Sequence, residues 1–512
     1  MKRTRHLLQS SILVILFFGV GKITGLIRIR LVAGVFGTSP NFDAFTAANQ
    51  LPEVFYVLIA GGSLAAAFIP VYSATLTGKG PSQSARLANT ILTLVILILG
   101  TISALGAVIA PWLTRVLLVP NFTPELQELT ADIMRIILIQ TTIFGISGVL
   151  SSILNAHQHF ALPALAPLAL DIGYVVGLYL FVPQMGIIGL AWGTVVGGLL
   201  HILIQLPALL RYRISYRPTL ALQMTGVHEV VRLMGPRVVT LGTIQLADLF
   251  IIRIASSLPS GSTSGYFYGF SLMQLPETLL GTAIALVVFP TMAELFNAGD
   301  VPGMKETAVS ALGIIWTLTI PAAAMLVLLG QPAIVLFLQG DVFDAASTQL
   351  VYSVLIVFSV RVVSEATVEI VARLFYAQHN TRTPMLVYAG WLVINISFAY
   401  LLVRGFNLGV VGLAGAGTIA FTVLAAVLFW LNRQHLNGLA ERQLAKIGGR
   451  ALVGTAVMSA VMLLIRQMIT TPLLYLAVAG SVGTGVYIVL NLLLGGREIL
   501  TLWRMVRQKT AV

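Results

Sequence analysis

Fourteen apolar stretches, each long enough to cross a bilayer, decide most of what this chain can become. They run from residues 9–36 at the start to 473–495 at the end, with the seventh at 233–257 and the tenth at 347–376. A membrane-spanning helix needs roughly 20 mostly apolar residues. Of all residues, 57% are hydrophobic and only 9% are charged, against about 25% charged in a soluble domain. A soluble fold could not cover that much apolar surface, so the excess must face lipid. The sequence predicts an all-α integral membrane protein with about fourteen transmembrane helices.

The basic residues give an independent check. With the N-terminus in the cytoplasm, twenty of the thirty Lys and Arg fall on cytoplasmic segments and seven within spans, which leaves Arg115, Arg404 and Arg466 outside. Cytoplasmic loops of membrane proteins carry such an excess, and one miscounted span would scramble the alternation. Fourteen spans with both termini inside is therefore the expected topology. The net charge of +12 belongs to these loops and points to no nucleic-acid partner. The start, Met1 to His6 before an apolar run, looks like a signal peptide. Lys22, Arg28 and Arg30 follow that run and no A-x-A site ends it, so a retained first span is expected.

The chain also repeats itself at an offset of about 221–224 residues. Gln50-Leu-Pro-Glu53 recurs as Gln274-Leu-Pro-Glu277, Ala156–Pro163 matches Ala377–Pro384, and Gly186–Ala191 matches Gly409–Ala414. The offset contains six spans, and an even number preserves orientation. Parallel repeats of this kind are related by an axis along the membrane normal, with the substrate between them. The expected organisation is a six-helix lobe over 1–215, a second over 228–435, two further helices over 448–496 and a basic cytoplasmic tail over 497–512. A duplicated bundle argues for a transporter.

Charges inside spans are costly, at least about 2.5–3.5 kcal/mol each at the bilayer centre, and so mark partners or cavities. Arg361, Glu365, Glu369 and Arg373 follow one another at four-residue intervals and can pair along one helix face; a cation relay is the functional alternative to a self-neutralising ladder. Lys22, Arg28 and Arg30 have no acid among them on the first span, which favours an anion contact for Lys22 and Arg28. Asp248 and Arg253 are five apart, a poor spacing for pairing, and Asp248 offers a cation contact or a structural hydrogen bond. Glu53 and Glu277 follow the prolines of the two repeats and are expected to stabilise a broken helix there. Asp171 and the pair Asp132–Arg135 read as structural. Gly193 and Gly197 have the spacing of a helix-packing seam.

Enzyme signatures are missing from the sequence. There is no G-x-x-x-x-G-K-[ST] loop for ATP and no cysteine, hence no thiolate chemistry. His157 and His159 lack a ligand cluster around them, so no metal and no cofactor are expected.

The stretch Gly25–Phe45 (GLIRIRLVAGVFGTSPNFDAF), with Asn155–Pro167, Met234-Gly-Pro236, Ser271–Pro276 and Leu374–Pro384, resembles the MurJ/MviN lipid II flippases. That family belongs to the multidrug/oligosaccharidyl-lipid/polysaccharide exporter superfamily. The resemblance spans at least residues 20–390. It implies a bacterial cytoplasmic-membrane protein that moves undecaprenyl-pyrophosphate-linked peptidoglycan precursor from the inner to the outer leaflet by alternating access. A coupling cation or the membrane potential would drive it, and the last two helices would form a groove for the lipid tail. Carried over residue by residue, the substrate contacts are Lys22, where the family has arginine, Arg28 and Asp43. Tyr56 and Ser271 stand where two further arginines are expected, which marks a divergent member. Other polyprenyl-linked glycans remain an alternative cargo, and cation-coupled drug export an alternative activity resting on Asp248 and the ladder.

Overall fold

The computed structural model describes residues 2–212 and 215–498, with side chains from residue 19 onward and Pro236 excepted. Its regular elements are all helical: α1 (Lys2–Phe36), α2 (Pro40–Ile59), α3 (Gly62–Lys79), α4 (Pro81–Val108), α5 (Ala110–Trp112), α6 (Pro124–Ala156), α7 (Ala161–Leu165), α8 (Leu168–Val176), α9 (Val182–Met185), α10 (Ile187–Arg211), α11 (Thr225–Ala255), α12 (Ser262–Glu277), α13 (Ala283–Asn297), α14 (Val301–Phe337), α15 (Ala345–Ala377), α16 (Arg382–Tyr400), α17 (Gly409–His435), α18 (Glu441–Met468) and α19 (Pro472–Leu493). Four π-helical segments join them, at Leu113–Leu118, Gly177–Phe181, Thr278–Thr282 and Leu401–Gly405.

The helix starts are written in the sequence. Ser39 before Pro40, Thr123 before Pro124 and Asp300 before Val301-Pro302 each accept a backbone N–H of the first turn, from Phe42, Leu126 and Gly303. A capping oxygen satisfies an orphan donor, and proline near N1 loses no hydrogen bond because its missing N–H would be an orphan there.

Twelve helical stretches among the described residues are long and apolar enough to cross a membrane. The other two expected spans fall on α1 and α15. The side chains of α1 before residue 19 lie outside the described set, and α15 carries Arg361, Glu365, Glu369 and Arg373.

The helices pack into two compact units, 1–264 and 265–512. In the first, α6 packs against α2, α4 and α10, α11 against α2 and α3, and α1 against α7 and α8. In the second, α15 packs against α14 and α17, and α18 against α14 and α19. By packing, α11 joins the first unit, whereas the repeat begins the second lobe at 228. The expected basic tail falls almost wholly on residues 499–512, outside the described set.

The backbone repeats where the sequence does. α6 ends at Ala156 and α15 at Ala377, and in each case the second residue beyond turns left-handed, Gln158 at φ 59 and His379 at φ 58. Gly186 and Gly409, at φ 58 and 55, open the matching helices α10 and α17. The Gln-Leu-Pro-Glu copies diverge locally. After Glu53 the chain breaks at Ala60-Gly61 between α2 and α3, whereas Glu277 leads directly into the π-helical turn Thr278–Thr282. The four residues missing from the second copy account for the difference, since they make about one helical turn.

Candidate functional site

Residues four apart on a helix share a face. Thr24 and Arg28 therefore look out together from α1, and Asp171 with Tyr174 occupies one face of α8. The two faces meet. Arg28 Nη1 lies 3.4 Å from Asp171 Oδ1, and its guanidinium carbon lies 4.8 Å from the Tyr174 ring centre. The Thr24 hydroxyl donates to Asp171 Oδ2 at 2.6 Å. Arg28 keeps 25% and Asp171 14% of its side-chain surface exposed. The first-span cation that found no acid on its own helix thus finds one on α8, and Asp171, read as structural, is that partner. Lys22 is half-buried six residues earlier on α1, about 9 Å along the axis. Glu53 is exposed on α2 and takes a hydrogen bond from Asn49 at 3.3 Å. Tyr56 packs edge-on against Phe144 with ring centres 5.9 Å apart, so an aromatic contact occupies the place of one expected cation. Ser271 is half-buried on α12.

Asp43, expected from the resemblance at the substrate, has backbone partners. It is 2% exposed, and its oxygens accept the N–H of Gly261 at 2.6 Å and of Ser264 at 2.7 Å. Gly261 sits at φ +89, and a Cβ there would lie 2.7 Å from the Thr38 carbonyl oxygen, so this turn needs glycine. A carboxylate with both oxygens held by backbone donors caps the turn before α12. It is also the wrong sign to attract a diphosphate.

Arg253 also finds partners on another element. It donates to the carbonyls of Val116 and, at 3.0 Å, of Leu117, near the end of the π-helical segment Leu113–Leu118, where carbonyls lack intrahelical partners. Asp248 is half-buried five residues before it on α11. Arg135 pairs with Asp132 at 2.7 Å and donates to the Ala107 carbonyl at 3.0 Å.

The ladder on α15 resolves into two ion pairs. Arg361 Nε meets Glu365 Oε2 at 2.7 Å, and Arg373 meets Glu369. Arg361 is 7% exposed and its guanidinium lies 4.2 Å from the Phe421 ring centre and 5.0 Å from that of Phe270. Gln274 adds a hydrogen bond to Glu365 at 3.3 Å. Removing one member of a buried pair strands the other charge at a cost of about 3–5 kcal/mol. Arg361→Ala is therefore expected to lower the melting temperature in detergent markedly, and Arg361→Ala with Glu365→Ala to recover most of it. A single variant as stable as the double would show that the pair is not what holds this face. Glu277 is 3% exposed and accepts from the Thr282 hydroxyl at 3.2 Å, so it fastens the π-helical turn.

Sequence reading missed a neutral network in the first unit. The Ser147 hydroxyl lies 2.6 Å from His201 Nδ1, Gln205 donates to Ser147 at 2.7 Å, and the Ser151 hydroxyl donates to Gln205 at 2.9 Å. Its signal was present, since Ser147/Ser151 and His201/Gln205 are each four apart within apolar spans. His157 and His159 serve packing. The Tyr72 hydroxyl is 3.1 Å from His157 Nε2, and the His157 ring stacks on Tyr212 at 4.9 Å. Burial lowers the pKa of both histidines from the usual 6.5, and Arg211 adds to this for His159.

Similarity to known proteins converges on one family. The family described as "Lipid II flippase MurJ" matches residues 32–480. A probable lipid II flippase MurJ of Bdellovibrio bacteriovorus is 31% identical over 443 residues, covering 85% of this chain and 84% of the relative. The lipid II flippase MurJ of Burkholderia cenocepacia is 27% identical over 396 residues, 76% of this chain and 77% of its own. A solved structure of lipid II flippase MurJ in an inward closed conformation superposes with a TM-score of 0.80 at 22% identity, covering 94% of this chain and 98% of that one. An inward-facing multidrug transporter of the MATE family, in the MOP superfamily, superposes at 0.69 with 16% identity over 82% and 96% of the two chains. The fold is therefore one that both kinds of transporter share, and the sequence match decides between them: the chain belongs to the MurJ family.

Proposed function

We propose that this chain is a lipid II flippase of the bacterial cytoplasmic membrane. It moves undecaprenyl-pyrophosphate-linked disaccharide-pentapeptide from the inner to the outer leaflet, as the names of its relatives imply. The observation that carries this reading is family membership over residues 32–480. The half-buried guanidinium of Arg28 on a membrane helix adds the chemistry. A diphosphate taken from water needs charge-assisted donors, and arginine's fork presents two at once. In this reading Arg28 and Lys22 face the diphosphate, while Asp43 holds the turn before α12.

The lobes over 1–215 and 228–435 alternate access, and the helices over 448–496 take the lipid tail. Fourteen spans with both termini inside complete the topology, and a coupling cation or the membrane potential supplies the energy. The transport step makes and breaks no covalent bond, so no residue has a catalytic role.

Tyr56 and Ser271 favour one second reading, a flippase for another polyprenyl-linked oligosaccharide. Both lack charge where cationic contacts are expected, and Tyr56 is packed on Phe144. Complementation separates the two. Expressed in a bacterium depleted of its own lipid II flippase, the chain is expected to restore growth. Properly inserted protein that fails there, yet restores export of another lipid-linked glycan in a strain lacking that flippase, would move the assignment to the second cargo.

A further inference from the structure

The contacts of Arg28 are unequal. Asp171 is fixed by the Thr24 hydroxyl at 2.6 Å, and it sits in the first turn of α8, where the helix dipole favours negative charge. Arg28 approaches the same carboxylate only to 3.4 Å, longer than the roughly 2.7–2.9 Å of a tight charge-assisted hydrogen bond. Tyr174, in turn braced edge-on by Phe45 at 6.2 Å, lies against the guanidinium. The anion is anchored and the cation rests against it. A quarter of the Arg28 side chain stays exposed.

We propose that Asp171 is a displaceable counter-ion: a diphosphate entering this site takes Arg28 from Asp171, and Asp171 takes it back when the diphosphate leaves. The inference rests on the reading of Arg28 as a diphosphate contact. It assigns Asp171 a positioning role that sets the balance between capture and release. A group of two or more negative charges outcompetes one carboxylate for the guanidinium, whereas a monovalent anion does not. The site then selects diphosphates over simple anions although its arginine is already paired with a carboxylate. The return of Arg28 to Asp171 offsets part of the cost of letting the cargo go, and so speeds release.

Undecaprenyl diphosphate is the probe, with the full-length protein purified in detergent for binding and placed in liposomes for flipping. Asp171→Asn keeps an oxygen for Thr24 and removes the charge. It is expected to bind undecaprenyl diphosphate about fivefold more tightly, as loss of one ion-pair competitor allows, and to flip several-fold more slowly. Asp171→Ser, which also keeps a polar partner for Thr24, is expected to show the same opposite movements. A residue that only supported the fold would weaken binding and flipping together, and that result in either variant, or unchanged binding in a folded one, overturns the inference. Arg28→Ala separates the layers. If it binds undecaprenyl diphosphate like the unaltered chain, the reading of Arg28 is wrong. If it loses binding while Asp171→Asn behaves as the unaltered chain, only the counter-ion assignment falls.

Discussion

Arg28→Ala is expected to abolish flipping while leaving membrane insertion and yield close to those of the unaltered chain. Asp171 keeps its hydrogen bond from the Thr24 hydroxyl and its place in the first turn of α8, where the helix dipole favours its charge, so losing the looser 3.4 Å contact strands it less than loss of Arg361 would strand Glu365. What the substitution removes at the site is larger. Each hydrogen bond to a charged group contributes about 1.5–3 kcal/mol, so losing a two-pronged contact to a diphosphate costs on the order of a hundredfold or more in affinity. The expected arginine partners at the positions of Tyr56 and Ser271 are missing, so few other cations share the load. Arg28→Lys should fall between, because an ammonium lacks the planar fork. Growth of a flippase-depleted strain, with the amount of inserted protein measured in the same cells, checks this. Normal growth with a well-inserted Arg28→Ala protein would remove Arg28 from the transport mechanism.

Substitution at the glycine seam between α8 and α10 should have the other large effect, this time on folding. In membranes small residues let helix backbones approach closely, and packing replaces the hydrophobic drive between helices. A Cβ on Gly173 would lie 2.4 Å from the Gly197 backbone, and one on Gly193 2.6 Å from the Gly173 carbonyl oxygen and 2.7 Å from the Gly177 Cα. These neighbours are backbone atoms and cannot rotate away. Overpacking against movable side chains costs about 1–3 kcal/mol; here the helices themselves must part, so Gly173→Val and Gly193→Val should each exceed that range. The expected result is a large fall in melting temperature and yield in detergent. Gly34→Ala on α1 is the control, since nothing lies within 4 Å of its added Cβ and alanine suits a helix better by about 0.5–1 kcal/mol. Valine variants as stable as the unaltered chain would mean that the seam is looser than described.

The helices and the repeat were legible because both are local patterns. Apolar run length needs no tertiary knowledge, and the matched left-handed residues Gln158 and His379 follow from matched sequence around them. The i,i+4 ladder on α15 was legible for the same reason. The partner of Arg28 was not, because Asp171 lies on another helix and only packing brings α1 and α8 together. The partners of Asp43 were hidden for the same reason. Two backbone donors, Gly261 before α12 and Ser264 in its first turn, take both oxygens, and nothing along α2 announces them. Arg253 offers the same lesson, since its acceptors belong to the Leu113–Leu118 segment. Charges inside spans showed that partners were needed; the fold decided which.

The most direct measurement follows labelled lipid II into the outer leaflet of a bacterium depleted of its own lipid II flippase, with this protein expressed and its insertion verified. Outer-leaflet label is expected to return with the unaltered chain and to stay at the depleted level with Arg28→Ala. Absence of label with fully inserted, unaltered protein would contradict the flippase reading.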